Sequence, residues 1–142
     1  MRTIRFRGMP FASIDFDFIN VHIDKNEFVY GNLIVDDKDT YIVNGVVSCD
    51  EDNIQLERWI PVRPETVGQF TGLLDKNGKE IWEGDRLHYN TGFSGEPKSR
   101  DGVVVWKQGA FGVDNASMQL TWYTDHYGCE NIGNIHEIKK GE

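Results

Sequence analysis

The stretch from Pro64 to Asp85 constrains this chain more than any other. It holds two turn signals in close succession, Asp75-Lys76-Asn77-Gly78 and Gly84-Asp85. Asn and Gly adopt positive φ at little cost, so the first predicts a tight hairpin turn. Val67, Phe70 and Leu73 lead into it, and Ile81-Trp82 follow. The strand-like Arg86-Leu87-His88-Tyr89 comes after the second turn. A chain turned back twice over so short a span predicts antiparallel β structure. The pattern Asp75-x-Asn77-Gly78-x-Glu80 also invites comparison with a calcium loop, which needs Gly at its sixth position and Glu at its twelfth. Counted from Asp75, those places hold Glu80 and Arg86, so the turn reading stands.

The residue types agree with β structure. Val and Ile together number 24, Leu 6 and Ala 3. Branched and aromatic side chains fit a pleated surface, whereas straight chains and Ala favour helices. At 142 residues the chain has the size of one domain or of two small subdomains. A chain of that length buries roughly 68–70 % of its unfolded surface and needs no disulfide staple.

Short strands and turns follow one another along the chain. Residues 2–7 alternate apolar and basic. The apolar phase flips at Phe18-Ile19, which predicts a bulge, bend or sheet switch there. Asp24-Lys25-Asn26-Glu27 and Asp36-Asp37-Lys38-Asp39 read as turns around a strand at 27–35. Tyr41-Ile42-Val43 and Val46-Val47-Ser48 flank Asn44-Gly45, which reads as a hairpin. Pro61 and Pro64 mark an internal boundary. A polar loop is expected from Asn90 to Arg100, and strands at 102–106, 109–113, 118–122 and 130–138. No segment sustains a helical period; residues 121–129 have room for one helical turn. The expected organisation is all-β: an N-terminal β subdomain at 1–60, a linker and hairpin at 61–83, and an SH3-like barrel at 84–142.

Five motifs in order resemble the YopX family: Ile4-Arg5-Phe6-Arg7-Gly8, Phe28-Val29-Tyr30-Gly31-Asn32-Leu33, Pro64 to Asp85, Gly102 to Trp106, and Ile132-Gly133-Asn134-Ile135. The segment Met9–Ile23 departs from the family by being longer. The resemblance implies a phage or prophage origin and a mostly β protein. It supplies no catalytic residues.

The residues themselves point to few chemistries. The formal net charge is −8, and neither half of the chain is basic. Gripping nucleic-acid phosphates needs several Lys or Arg on one face. The available set is Arg2, Arg5 and Arg7 with Lys98, Arg100 and Lys107, and alternation places Arg5 and Arg7 on a solvated strand face opposite Ile4 and Phe6. Of the four Trp, Trp82 and Trp106 read as core, and Trp122, Tyr123 and Tyr127 as surface aromatics able to contact a partner. Cys49 and Cys129 match no zinc spacing, and His22, His88, His126 and His136 make no HxH or HxxxH pair. Asp125, His126 and Cys129 are too close in sequence to meet productively without an unusual turn. No P-loop, Rossmann or Gly-x-Ser-x-Gly fingerprint occurs. No catalytic, metal or cofactor residues are therefore assigned. No apolar run approaches the roughly 18 residues of a membrane span, and the start has no signal-peptide core, so a cytoplasmic location in a bacterial host is expected. The expectation is a non-enzymatic, protein-binding phage accessory module that forms homo-oligomers with itself and meets a phage or host protein. The alternative is a nucleic-acid-associated module, or a nucleic-acid mimic acting on a host DNA-binding protein.

Overall fold

The computed structural model describes residues 1–16, 21–90 and 98–137, with side chains at all but a few of them. The chain is all-β. It divides into two compact units, Ile4–Gln69 and Phe70–Glu142 together with Met1–Thr3. The expected break at Phe18-Ile19 and most of the expected polar loop lie outside the described residues.

The first unit holds β1 (Phe6–Gly8), β2 (Ile14–Phe16), β3 (Val21–Ile23), β4 (Val29–Val35), β5 (Thr40–Cys49) and β6 (Ile54–Pro61). The order β6-β5-β4-β1 continues onto the start of β7 (Gly68–Leu74), with Arg7 opposite Gly68. β2 and β3 form a separate antiparallel pair. Leu33, Ile42 and Ile60 lie side by side on one face of the sheet. There Ile42, Ile60, Val62, Val29 and Ile23 form the core of this unit.

Aspartates open the turns of this unit. The Asp24 carboxylate accepts the Asn26 N–H at 2.8 Å. Asp36 accepts from Lys38 and Asp39, and Asp50 from Asp52 and Asn53. The side chain mimics a backbone turn, which is why Asp recurs where the chain reverses. A share of the negative charge is thus turn chemistry. The two N–H donors also hold the Asp36 carboxyl below its ordinary pKa.

Asn44-Gly45 is not a hairpin. β5 runs through it, with Gly45 at φ 66° and a register shift between Val46 and Ser48. Asn44 and Val46 stay in register with Arg58 and Leu56, so this Gly serves an irregular strand. The reversal comes later, at Asp50–Asn53, where the backbone N–H of Asp50 reaches the Asn53 carbonyl at 2.9 Å.

The second unit takes the rest of β7, then β8 (Glu80–Trp82), β9 (Asp85–Asn90), β10 (Ser99–Lys107), β11 (Ala110–Val113) and β12 (Cys129–Asn134). Its main sheet has the order β11-β10-β9-β12. These four described strands form an open sheet, so the expected SH3-like closure into a barrel is not what the hydrogen bonding gives. The expected strand at 118–122 is reduced to a bridge between Gly112 and Gln119, and a short helix, α1 (Leu120–Trp122), runs into a π-helical turn at Tyr123–Tyr127. Leu120 and Tyr123 are drawn inward by the core of this unit, where Ile81, Leu87, Tyr89, Val104, Val113 and Cys129 also pack. Burial of those two side chains on one side of a helix outweighs the apparent strand alternation at 118–122.

Candidate functional site

Polar residues of the Pro64–Asp85 block hold backbone, and those from Thr71 on, in the second unit, form a polar knot. Thr66 of the block belongs to the first unit: the hydroxyl accepts the Met9 N–H at 2.8 Å and donates to the Arg63 carbonyl at 2.7 Å. In the second unit, the Thr71 hydroxyl donates to the Ile81 carbonyl at 2.7 Å, beside the irregular stretch of β7. Asp75 is buried, and one carboxylate oxygen accepts the N–H groups of Asn77 and Lys79, both at 2.8 Å. Its other oxygen accepts the N–H of Asn131 at 2.9 Å. Gly78 at φ 81° closes that turn, and Gly84 at φ 92° the next.

Asn131 joins the two aspartates of the block. Its amide donates to Asp85 at 2.8 Å and to the Glu80 carbonyl at 3.1 Å. Its side-chain oxygen accepts the N–H of Gly133 at 3.1 Å. Asp85 is 2 % exposed, and the same oxygen also accepts the Trp82 N–H at 2.7 Å. Burial raises the Asp75 pKa, but the N–H groups of Asn131, Lys79 and Asn77 outweigh it and hold the carboxyl below its usual value. Both oxygens of Asp75 thus face hydrogen-bond donors. That arrangement stabilises an anion and is wrong for a calcium ligand, which must face a cation. The sequence pattern showed both turns; Asn131 carries no local signal, because its partners lie 46 and 56 residues away.

The six basic residues are divided between the units, Arg5 and Arg7 in the first and Arg2, Lys98, Arg100 and Lys107 in the second. Arg7 is 5 % exposed, with its guanidinium 4.1 Å from the centre of the Phe28 ring, so it is not on the solvated face that alternation predicts. β1 is paired along both edges, with β4 and β7, and on the face of the sheet that holds Arg7 the Phe28 ring covers the guanidinium. Arg5 lies 5.9 Å from the Tyr30 ring centre. Lys107 is half-buried, and its ammonium donates to the carbonyls of Val113, at 2.7 Å, and Ala116. Lys98 and Arg100 are exposed in the second unit, as is Arg2.

The aromatics are distributed differently from expectation. Trp82 is buried, as expected. Trp106 is 57 % exposed and meets Phe111 edge-on at 4.9 Å. On a two-residue hairpin, Trp106 sits outside the sheet's packed centre. Tyr123 is buried, 4.7 Å from Tyr89, because the helical turn points it inward. Trp122 is half-buried, and the side chain of Tyr127 lies outside the described residues.

The two thiols differ in exposure, and two of the imidazoles pair with aspartates. Burial pushes the Cys129 thiol up to about 11, whereas Cys49 is exposed. His22 pairs with Asp15 across β2 and β3, and His88 with Asp101 across β9 and β10 at 2.7 Å. Among the described residues, no three His, Cys, Asp or Glu side chains gather as metal ligands, and no helix is long and apolar enough to cross a membrane.

One surface of the first unit was not anticipated. The face of the sheet opposite the core aligns Asn32, Val43 and Trp59 in one row and Ile34, Tyr41 and Pro61 in the next. Tyr30, Ile34 and Trp59 on it are 42 %, 43 % and 59 % exposed. Tyr41 meets Trp59 edge-on at 6.0 Å. The polar neighbours Glu57 and Arg58 disguise this face in the sequence.

A model of the YopX protein family matches residues 21–139. No curated protein matches the chain. Among solved structures, protein EF1440 from Enterococcus faecalis is similar over 96 % of both chains, with a TM-score of 0.54 and 21 % identity. That likeness concerns the fold alone.

Proposed function

The chain belongs to the YopX family, and from that premise we propose that it is a non-enzymatic, protein-binding accessory module of a phage or prophage, working in the cytoplasm of a bacterial host and self-associating through the outer face of β4, β5 and β6. The observation that carries this reading is the exposed group Tyr30, Ile34 and Trp59, with Tyr41 against Trp59. Exposed aromatic and branched side chains sharing one sheet face resemble the centres of interfaces, where aromatic residues are enriched. A two-fold contact would bring the same face of each copy together. The non-enzymatic part is supported by the signature block, whose buried carboxylates hold backbone N–H groups rather than facing open space.

Light scattering on the eluting chain tests self-association. The expected mass is a multiple of 16.3 kDa, and Trp59→Glu is expected to return it toward a single chain. A wild-type mass of one chain would remove the self-association. A tagged pull-down from phage-infected lysate tests the partner. Proteins retained after nuclease support the module; proteins lost with nuclease move the function to nucleic acid.

A further inference from the structure

The connection between β11 and β12 bears a cleft of about 390 Å³, lined by Ser117, Met118, Gln119, Thr121, Trp122 and Asp125. Trp122 also packs against the core of its unit, which fixes the indole in place. The π-helical turn at Tyr123–Tyr127 carries Asp125 to the cleft. Such turns recur at functional sites because they redirect side chains from an ordinary helical path. Asp125 is exposed, the Thr124 hydroxyl lies 3.5 Å from it, and among the described residues it makes no ion pair. A smaller hollow adjoins the cleft, sharing Ser117, Met118 and Gln119. The lysine there, Lys107, has its ammonium bound to the Val113 and Ala116 carbonyls, so it braces the wall instead of neutralising Asp125.

A Trp packed against the core, a carboxylate and several polar acceptors line one open cleft, and these are the groups that a cation receptor uses. A cation is attracted to an indole face within about 6 Å of its centre. Serine, threonine and glutamine oxygens can accept the N–H groups that an ammonium or guanidinium presents. The net charge of −8 draws basic partners over a longer range. We propose that this cleft binds the cationic end of a lysine or arginine side chain presented by a basic segment of a partner protein. The inference rests on the protein-binding reading and names the chemistry of the partner.

The test uses the full chain, labelled with nitrogen-15, and four blocked tripeptides of the form acetyl-Gly-X-Gly-amide at constant ionic strength. X is lysine, arginine, norleucine or glutamate. The expected result is that the lysine and arginine peptides shift the amide signals of Gln119, Thr121 and Asp125 and the indole signal of Trp122, while the other two do not. Asp125→Asn, a surface change that leaves the remaining spectrum in place, is expected to weaken this binding by about fivefold, the scale of an exposed ion pair. No shift with the cationic peptides overturns the proposal. So do equal shifts with norleucine or glutamate, or undiminished binding to Asp125→Asn. If nuclease-resistant partners are retained while the peptides leave the cleft unmoved, the cleft assignment fails and the protein-binding function stands. If the peptides bind but no protein partner is recovered, the reverse holds.

Discussion

Replacing Asn131 by Ala is the sharpest probe of what the signature block does. The substitution removes three hydrogen bonds: to Asp85 at 2.8 Å, to the Glu80 carbonyl at 3.1 Å and from Gly133 at 3.1 Å. The backbone N–H of residue 131 stays and still serves Asp75. Two of the lost bonds are neutral and contribute about 1 kcal/mol each, and the bond to a carboxylate contributes about 1.5–3 kcal/mol. Asp85 keeps the Trp82 N–H, and water can reach a half-buried site, so the sum is reduced to about 3 kcal/mol. With a urea dependence of about 2 kcal/mol per molar, the denaturation midpoint should fall by about 1.5 M. The comparison variant is Asn134→Ala, a half-buried side chain that accepts the His136 N–H at 2.8 Å and lies 3.5 Å from the Glu137 carboxylate, and it should cost about 1 kcal/mol. The assay is urea unfolding of both variants and the parent, followed by circular dichroism and Trp fluorescence. A midpoint shift below about 0.3 M for Asn131→Ala, with the slope unchanged, would refute the knot as a stabilising element.

Two further outcomes follow from the same unit. Asp75 has a pKa below the ordinary value of 3.8, so its contribution is fully present above that value and is lost as pH falls through the lower folded pKa. Asp75→Asn, which cannot carry the charge, should therefore be less stable than the parent at pH 7, and the gap should narrow in acid; a gap that stays constant down to pH 2 would contradict the assignment. With a thiol-reactive dye at pH 8, one equivalent should react in the folded protein, at exposed Cys49. Cys129, 2 % exposed and with its pKa raised to about 11, should react only on unfolding. Two equivalents reacting at the same rate in the folded state would show that Cys129 is not enclosed as described.

The sequence by itself determined the β class and the places where the chain turns. Asp24, Asp36 and Asp75 each start a turn through their own side chains, and that chemistry acts over a few residues, so it can be read locally. The family was legible for the same reason, since its Pro64–Asp85 block is dense in turn residues. Asn44-Gly45 shows the limit of such reading. An Asn-Gly pair permits positive φ but does not require a reversal, and pairing with β6 on both sides keeps the strand going. Only the tertiary structure decided which polar and aromatic groups face inward. Arg7 is buried with the Phe28 ring, which belongs to a separate stretch of chain, over its guanidinium. Tyr123 is core and Trp106 is surface because helix and hairpin geometry override alternation. Asn131 reaches Asp75 and Asp85 across a separation that no local pattern encodes. Turn chemistry is a property of neighbouring residues; burial and the joining of distant polar groups exist only once strands far apart in the chain have paired.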